Sequence, residues 1–405
     1  MKGEGRGKLM LAALLSAAAA GISPAAIAEN TSKLVAATPL VVGCEPTTGR
    51  WQATLAAGSW SLSVIEDGAD ITVSIAGSGV TNGAWRGVDG GVSRFDILLQ
   101  PAGSTTIEID VSCDASQTRD ARATLTLQRL PRAPAPKTRA AWLLDMAVVA
   151  LASDKHDDKL TARAQSEEAA SLWATLAQPE REAASLYRAS MLAAATRDGA
   201  AAIDLADRAA RLFEQAELTL QQGFALTQGG LVAIRLRQFD GARQRLERAE
   251  PLTSPYSEGR QVDYAASNLC YLKFVQRDFA DAQTCYEALL QIAKASGHGE
   301  SITLMYNNIA GTHAQRSNPR PAIDALRDAR KTARRPHSLA RLHHNMAVLH
   351  RSTGQYRQAL DGYLAALKIR RELGDPIEIA STISSVGLVY EVLGLPNRAI
   401  AFYEE

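Results

Sequence analysis

The fold is decided by residues 345–363, which read NMAVLHRSTGQYRQALDGY. Apolar side chains recur at helical spacing on both sides of Gly354, and glycine is a residue that ends helices. Ala347 precedes this turn, and Ala359 stands twelve residues after Ala347. Two backbones approach closely where both side chains are small, so this spacing predicts two helices packed as a hairpin.

The same unit recurs along the second half of the chain. One alanine of each unit falls in register, at intervals of 40, 40, 40, 37 and 40 residues: Ala202, Ala242, Ala282, Ala322, Ala359 and Ala399. A small residue stands twelve positions before each of them: Ser190, Gly230, Cys270, Ala310, Ala347 and Gly387. A fixed period of this length indicates stacked helical hairpins, each burying its apolar side against its neighbours.

Over residues 183–405 the pattern resembles the tetratricopeptide repeat (TPR) family. The best match is the last repeat, with Gly387, Tyr390, Leu393, Gly394, Ala399 and Tyr403. The resemblance implies an all-α solenoid of about six repeats, the last one incomplete, with helices longer than those of the 34-residue minimum. Residues 140–182, with Trp142 and Trp173, are expected to form a degenerate hairpin that caps the start.

The resemblance also implies that the first helix of each hairpin lines a concave groove, which binds a peptide or a helix of a protein partner. By register, the groove residues are Tyr264, Asn268, Tyr271, Asn307, Asn308, Arg341, His344 and Asn345. Three asparagines, at 268, 308 and 345, share one register position. An amide both donates and accepts, so they bind a peptide backbone or else tie neighbouring hairpins together. Arg341 stands nearly alone, which argues against a clamp for two carboxylates.

Residues 38–130 differ from the repeats, because polar and apolar residues alternate there with a period of two, as in 60–64 (WSLSV). Short runs of this kind, separated by glycine-containing turns, predict a small all-β sandwich. It weakly resembles prepeptidase-type sandwiches. Cys44 and Cys113 both lie in it, and a disulfide between them is predicted after export. A proline-rich linker at 131–139 then separates this domain from the helices.

The first 28 residues predict a cleavable signal peptide. A basic start is followed by an apolar run at 9–22 that is short for a bilayer span, and then by Ala26-Ile27-Ala28. We therefore expect a periplasmic or secreted protein with no membrane insertion after cleavage.

Composition and motifs argue against several functions. Lys and Arg number 44 and Asp and Glu 43, a balance that gives no overall nucleic-acid footprint. No phosphate-binding loop, dinucleotide fingerprint, nucleophile elbow or zinc-protease motif occurs, so no enzyme activity, cofactor or metal is expected. His343, His350 and Cys270 are interpreted as packing residues, Cys270 as a buried thiol.

The sequence stops at Glu405, inside the second helix of a repeat. The layout resembles the N-terminal part of bacterial exported TPR proteins that end in a caspase-like CHAT domain, whose catalytic His and Cys follow the repeats. Nothing in this sequence matches those catalytic residues. The favoured hypothesis is a binding scaffold. Its alternative is the sensing half of a CHAT-type peptidase, or of a membrane signalling protein, with the output domain after Glu405.

Overall fold

A computed structural model describes residues 31–33, 39–43, 49–67, 71–78, 80, 83–86, 94–113, 122–130, 134–142, 156–257, 264–373 and 376–405. The predicted signal peptide lies outside these residues. So do Cys44 and the side chain of Cys113, and their disulfide stays a prediction. The chain divides into two compact units, Met1–Ala150 and Leu151–Glu405.

The first unit contains a β-sandwich. Its described strands are β1 Thr31–Lys33, β2 Leu40–Gly43, β3 Gly49–Leu55, β4 Trp60–Asp67, β5 Ile71–Gly77, β6 Gly83–Arg86, β7 Arg94–Leu99, β8 Thr105–Cys113 and β9 Arg122–Arg129. One sheet has the order β1-β3-β8-β5-β6, and the other has the order β2-β9-β4-β7. The pairs are antiparallel except β1 with β3, which is parallel. Strand β1 lies ahead of residue 38, where the sequence pattern begins.

The alternation of polar and apolar residues explains the sandwich. In β4, Leu62 and Val64 are fully buried, as is Ile97 opposite Leu62 in β7. In the other sheet, Leu55 and Ile107 are fully buried. Side chains at every second position of a strand share a face, so each sheet has one apolar face to bury.

The second unit consists of helices joined by tight turns. Their bounds are α1 His156–Thr175, α2 Pro179–Ala195, α3 Gly199–Gln215, α4 Thr219–Arg235, α5 Phe239–Ser257, α6 Tyr264–Val275, α7 Phe279–Ser296, α8 Gly299–Gln315, α9 Pro319–Thr332, α10 Pro336–Ser352, α11 Tyr356–Leu373, α12 Pro376–Val392 and α13 Pro396–Tyr403. From α2 onward the helices pair as six hairpins, and the structure confirms the TPR-type solenoid. Residues 136–142 are also helical but belong to the first unit.

Each hairpin is held together at the predicted small-residue positions. The Ser190 hydroxyl on α2 donates to the carbonyl oxygen of Ala202 on α3 over 2.7 Å. At Gly230, a Cβ atom would lie 2.7 Å from Leu246 Cγ and 3.5 Å from the Ala242 carbonyl oxygen. No larger side chain fits between such helices, so the small residues set how closely the hairpin closes.

Larger side chains fill the space between hairpins. The residue four positions after each register alanine is buried in five of six repeats, including Tyr286 and Tyr363, which are 2% and 0% exposed. Burial raises the pKa of both tyrosines. Each hairpin therefore buries its apolar side against the next one, as a solenoid requires.

One pair of cysteines departs from expectation. The sequence predicts a buried thiol at Cys270 on α6, but Cys270 forms a disulfide with Cys285 on α7. The two Cα atoms are 5.5 Å apart, because Cys270 occupies the small-residue position where the helices are closest. The disulfide thus adds a covalent link to the packing of this hairpin, in which Cys270 is fully buried.

Within the described parts of the chain, no helix combines the length and the apolar character that a membrane span needs.

Two glycines on first helices provide a matched test of the packing. Gly230→Ala should lower the free energy of unfolding by about 1 kcal/mol, since overpacking against Leu246 exceeds the gain in helix propensity. Gly311→Ala, whose Cβ would meet Phe274 at an ordinary 3.8 Å, should instead be neutral or stabilising. Urea denaturation followed by circular dichroism measures both. Equal changes in stability for the two substitutions would show that the space beside Gly230 does not limit the packing of its hairpin.

The disulfide offers a second test. Its 15-residue separation corresponds to about 3 kcal/mol in the loop-entropy treatment. Reduction should therefore accelerate amide hydrogen exchange in α6 and α7 more than in α2 and α3. The double variant Cys270→Ala, Cys285→Ala is the control, because its exchange should not respond to reductant in these helices. Equal acceleration in all four helices would contradict a local role.

Candidate peptide-binding surface

The predicted groove residues lie on the first helices α6, α8 and α10. Tyr264 and Tyr271 on α6 are 43% and 37% exposed. Asn268, Asn307, Asn308, Arg341, His344 and Asn345 are all partly buried. The surface therefore presents two open aromatic rings beside a half-buried polar strip.

The polar strip is a chain of amides that crosses between repeats. Asn345 Nδ2 on α10 donates to Asn307 Oδ1 on α8 over 2.8 Å. Asn307 Nδ2 lies 3.4 Å from Asn308 Oδ1 and donates to it. Two of the predicted groove residues thus tie neighbouring hairpins together. Contact of Asn268 and Asn308 with a ligand stays a prediction.

The exposed Tyr271 ring is part of a chain of aromatic contacts. The Tyr271 and Phe274 rings are stacked, with their centroids 6.3 Å apart, and Phe274 meets Phe279 edge to face at 5.5 Å. On the neighbouring first helix, Gly311 stands beside the Phe274 ring and carries no side chain to cover it. Tyr271 is therefore an exposed ring that is held by its contact with Phe274.

His344 is turned towards a buried arginine rather than towards solvent alone. Arg370 Nη1 on α11 lies 3.1 Å from His344 Nδ1. An arginine can only donate, so His344 accepts at Nδ1 and is neutral. The imidazole also meets the Tyr363 ring edge to face at 5.1 Å. Burial, followed by the charges of Arg370 and Arg351, lowers the pKa of His344 to about 4.

Arg370 is the centre of a network that joins two hairpins. Its side chain is 8% exposed and pairs with Glu378 on α12. It also donates to the Thr382 hydroxyl. A buried cation is stable only when it is paired and hydrogen-bonded, and this arginine has partners on α10 and α12. Sequence reasoning missed the network because Arg370 looks like an ordinary charge on a second helix.

The Arg341 side chain is less accessible to a ligand than the sequence suggested. Burial lowers its pKa, and the carboxylates of Glu300 and Glu378 partly offset that effect. Its Nε atom is buried without a hydrogen-bond partner among the described residues. Flanking carboxylates partly neutralise its charge, so it provides no open site for an anion.

The two histidines predicted as packing residues, His343 and His350, are only partly buried. His350 Nδ1 lies within hydrogen-bonding distance, 2.5 Å, of Gln355 Oε1 at the turn before α11. His343 lies beside Leu342 and Met346 in a small depression, and burial lowers its pKa. Ser267, the neighbour of Asn268 on α6, is 8% exposed and thus faces the core. Among the described residues, no group of three His, Cys, Asp or Glu could hold a metal ion.

The solenoid of this chain is similar in fold to several solved helical-repeat proteins. Aspartyl phosphate phosphatase F from Bacillus subtilis matches with 12% identity and a TM-score of 0.50, over 66% of this chain and 70% of that one. BtubC from P. vanneervenii matches with 20% identity and a TM-score of 0.41, over 51% and 86%. A kinesin light chain from Podospora anserina with TPR-like repeats matches with 12% identity and a TM-score of 0.40, over 48% and 92%.

These identities are low, so the likeness concerns the fold alone. The fold is a TPR-type helical solenoid, preceded in the sequence by a β-sandwich. No protein-family model and no curated protein sequence matches it.

His344 predicts a dependence of stability on pH. The pKa of a histidine in the unfolded chain is near 6.5, whereas the pKa of His344 in the folded chain is about 4. Below pH 6.5 the unfolded chain binds the proton first, so stability falls as pH drops from 6.5 towards 4, by at most about 3 kcal/mol.

The change His344→Gln retains an acceptor for Arg370 but removes the titrating group. Urea denaturation at pH 7.0 and 5.0 should therefore show a smaller loss of stability for this variant than for the unmodified protein. His337→Gln, at an exposed position, is the control and should keep the full loss. If the His344→Gln variant loses as much stability between pH 7.0 and 5.0 as the control, His344 does not cause the pH dependence of stability.

Proposed function

We propose that this protein is a non-catalytic scaffold that binds an extended segment of a protein or peptide along the first helices of its solenoid. The observation that carries the proposal is the pair of open rings, Tyr264 and Tyr271, beside the amide strip of α8 and α10. Aromatic rings supply contact area at low cost in conformational entropy, and amides pair with a peptide backbone.

The charges of this surface favour a ligand segment without strong charge. The carboxylates of Glu300 and Glu378 partly offset the effect of burial on Arg341, and Arg370 is paired with Glu378. Both cations are therefore partly neutralised before any ligand arrives. Affinity must then come from the rings and the amides, which suit apolar or aromatic side chains on an extended backbone.

We also propose that the protein works outside the cytoplasm, in the periplasm or as a secreted protein. The N-terminal sequence and the Cys270–Cys285 disulfide support this. Disulfides persist in oxidising compartments and are rare in the cytosol. N-terminal sequencing of the protein from the periplasmic fraction should begin at Glu29. The hypothesis of a CHAT-type peptidase or signalling protein stays a prediction, which the codons following Glu405 test.

The groove proposal is tested by selecting peptides from a displayed random library on the mature protein. Selected peptides should bind with micromolar dissociation constants and lose at least tenfold in affinity on the double change Tyr264→Ser, Tyr271→Ser. Ile292→Ser is the control, since Ile292 is 55% exposed on the second helix α7.

The matched control decides the outcome of this selection. Peptides that lose affinity equally on Ile292→Ser bind elsewhere, and the groove assignment is then wrong. Peptides that are insensitive to the tyrosine changes overturn it as well. Circular dichroism of each variant confirms that the helices are retained.

A further inference from the structure

The overall charge balance conceals one strongly basic segment. Residues 316–357 contain ten Lys or Arg and two Asp or Glu, which gives a net charge of +8. The whole chain contains 44 Lys or Arg and 43 Asp or Glu, which gives a net charge of +1. The residues outside 316–357 together therefore have a net charge of −7. The positive charge is thus concentrated in about one repeat.

Part of this charge forms a single line on the second helix α9. Positions separated by seven and eleven residues lie on one face of an α-helix, here over about 16 Å. Arg334 follows at the end of the helix. These four exposed cations are called the basic stripe: Arg320, Arg327, Lys331 and Arg334. The stripe lies on a second helix, whereas the proposed groove lies on first helices.

The acidic residues of the segment are already paired and leave a surplus of positive charge. Asp324 Oδ1 accepts from Arg327 Nη1 over 2.9 Å, and Asp328 Oδ1 accepts from Lys331 Nζ over 2.6 Å. Both are exposed pairs between neighbours on one helix, which hold each other weakly. A competing carboxylate can therefore replace either aspartate at little cost.

The end of the basic stripe is held in place by hydrogen bonds to Glu300 of the preceding first helix. Glu300 Oε1 on α8 accepts from the backbone N–H groups of Arg334 and Arg335 over 2.7 and 3.0 Å. Its Oε2 accepts from the Ser338 hydroxyl over 2.7 Å. Arg334 Nη1 in turn donates to the carbonyl oxygens of Lys331 and Ala333. The turn after α9 is thus fixed, with Arg334 next to Lys331.

The chemistry of the segment indicates the kind of partner. Nine of its ten cations are arginines, whose planar guanidinium binds a carboxylate through two parallel hydrogen bonds. Every residue from 316 to 357 is described, and none of them is an exposed large apolar side chain. The surface therefore has no apolar anchor for inserting into a lipid layer.

The charge on the rest of the chain limits the length of the partner. A long polyanion such as nucleic acid would extend beyond the stripe and meet residues whose net charge is −7. A short segment stays within about one Debye length, roughly 8 Å at physiological salt, of the basic residues. We propose that the basic stripe is a second docking surface, and that its partner is a short protein segment rich in Asp and Glu.

Fluorescence anisotropy with a labelled deca-glutamate peptide tests this proposal, with a deca-glutamine peptide as the neutral probe. The mature protein should bind deca-glutamate at 25 mM salt and more weakly at 150 mM. The double change Arg327→Glu, Lys331→Glu should weaken binding at least tenfold, and the milder change to Gln at both positions should give a smaller loss.

The matched control is the double change Arg208→Glu, Arg211→Glu on the second helix α3. Both arginines are exposed, and Arg208, like Arg327 and Lys331, faces an aspartate of its own helix, with Nη1 3.8 Å from Asp204 Oδ2. This variant should keep its affinity within about twofold. An equal loss there shows attraction by overall charge and overturns the assignment, as does absence of binding at 25 mM salt. Tighter binding of a ten-nucleotide single strand or of phosphatidylglycerol vesicles overturns the choice of partner.

Discussion

The structure depends on the close approach of two helices at one small residue each. Where Ser190 donates to the Ala202 carbonyl over 2.7 Å, and where Gly230 leaves no room beside Leu246, the backbones are nearly in contact. This approach sets the tilt of each hairpin, and the tilt sets where the next hairpin packs. Because the register is kept, α8 and α10 lie side by side and Asn345 reaches Asn307. The candidate surface is therefore a consequence of packing at positions that no ligand touches.

The sequence was most informative where a periodic pattern repeats. Six alanines in register predicted the hairpins, and alternation at positions such as 60–64 predicted strands, because both patterns report one buried face. Contacts that depend on the reach of individual side chains were not predicted. Arg370 binds His344 and Glu378 from an adjacent helix, and Glu300 holds the turn at Arg334 from 34 residues away. Neither contact has a signature in spacing. Cys270 was misinterpreted because cysteine also satisfies the requirement for a small side chain.

Charge illustrates a different limit of sequence reasoning. The totals of 44 basic and 43 acidic residues argue against a strongly charged partner only if the two signs are evenly mixed along the chain. They are not, since one repeat has a net charge of +8 and the remainder has a net charge of −7. The two candidate surfaces also differ in physical character. The groove has aromatic rings and amides, and its cations are partly neutralised, whereas the stripe is exposed, arginine-rich and without an apolar anchor. A solenoid can keep such surfaces apart because each repeat contacts only its neighbours.

The disulfide in the third hairpin has a mechanical consequence. If the chain is stretched from its two ends, helices unravel repeat by repeat, and each freed residue adds about 3.5 Å of contour length. The residues between Cys270 and Cys285 cannot contribute, because the covalent link bypasses them. Their repeat should therefore lengthen by about 5 nm less than an unlinked repeat of equal size. When the chain is pulled, the unfolding of this hairpin should give a smaller increase in contour length than the unfolding of the other repeats. That shorter increase would show at which point in the sequence of unfolding events the third hairpin opens.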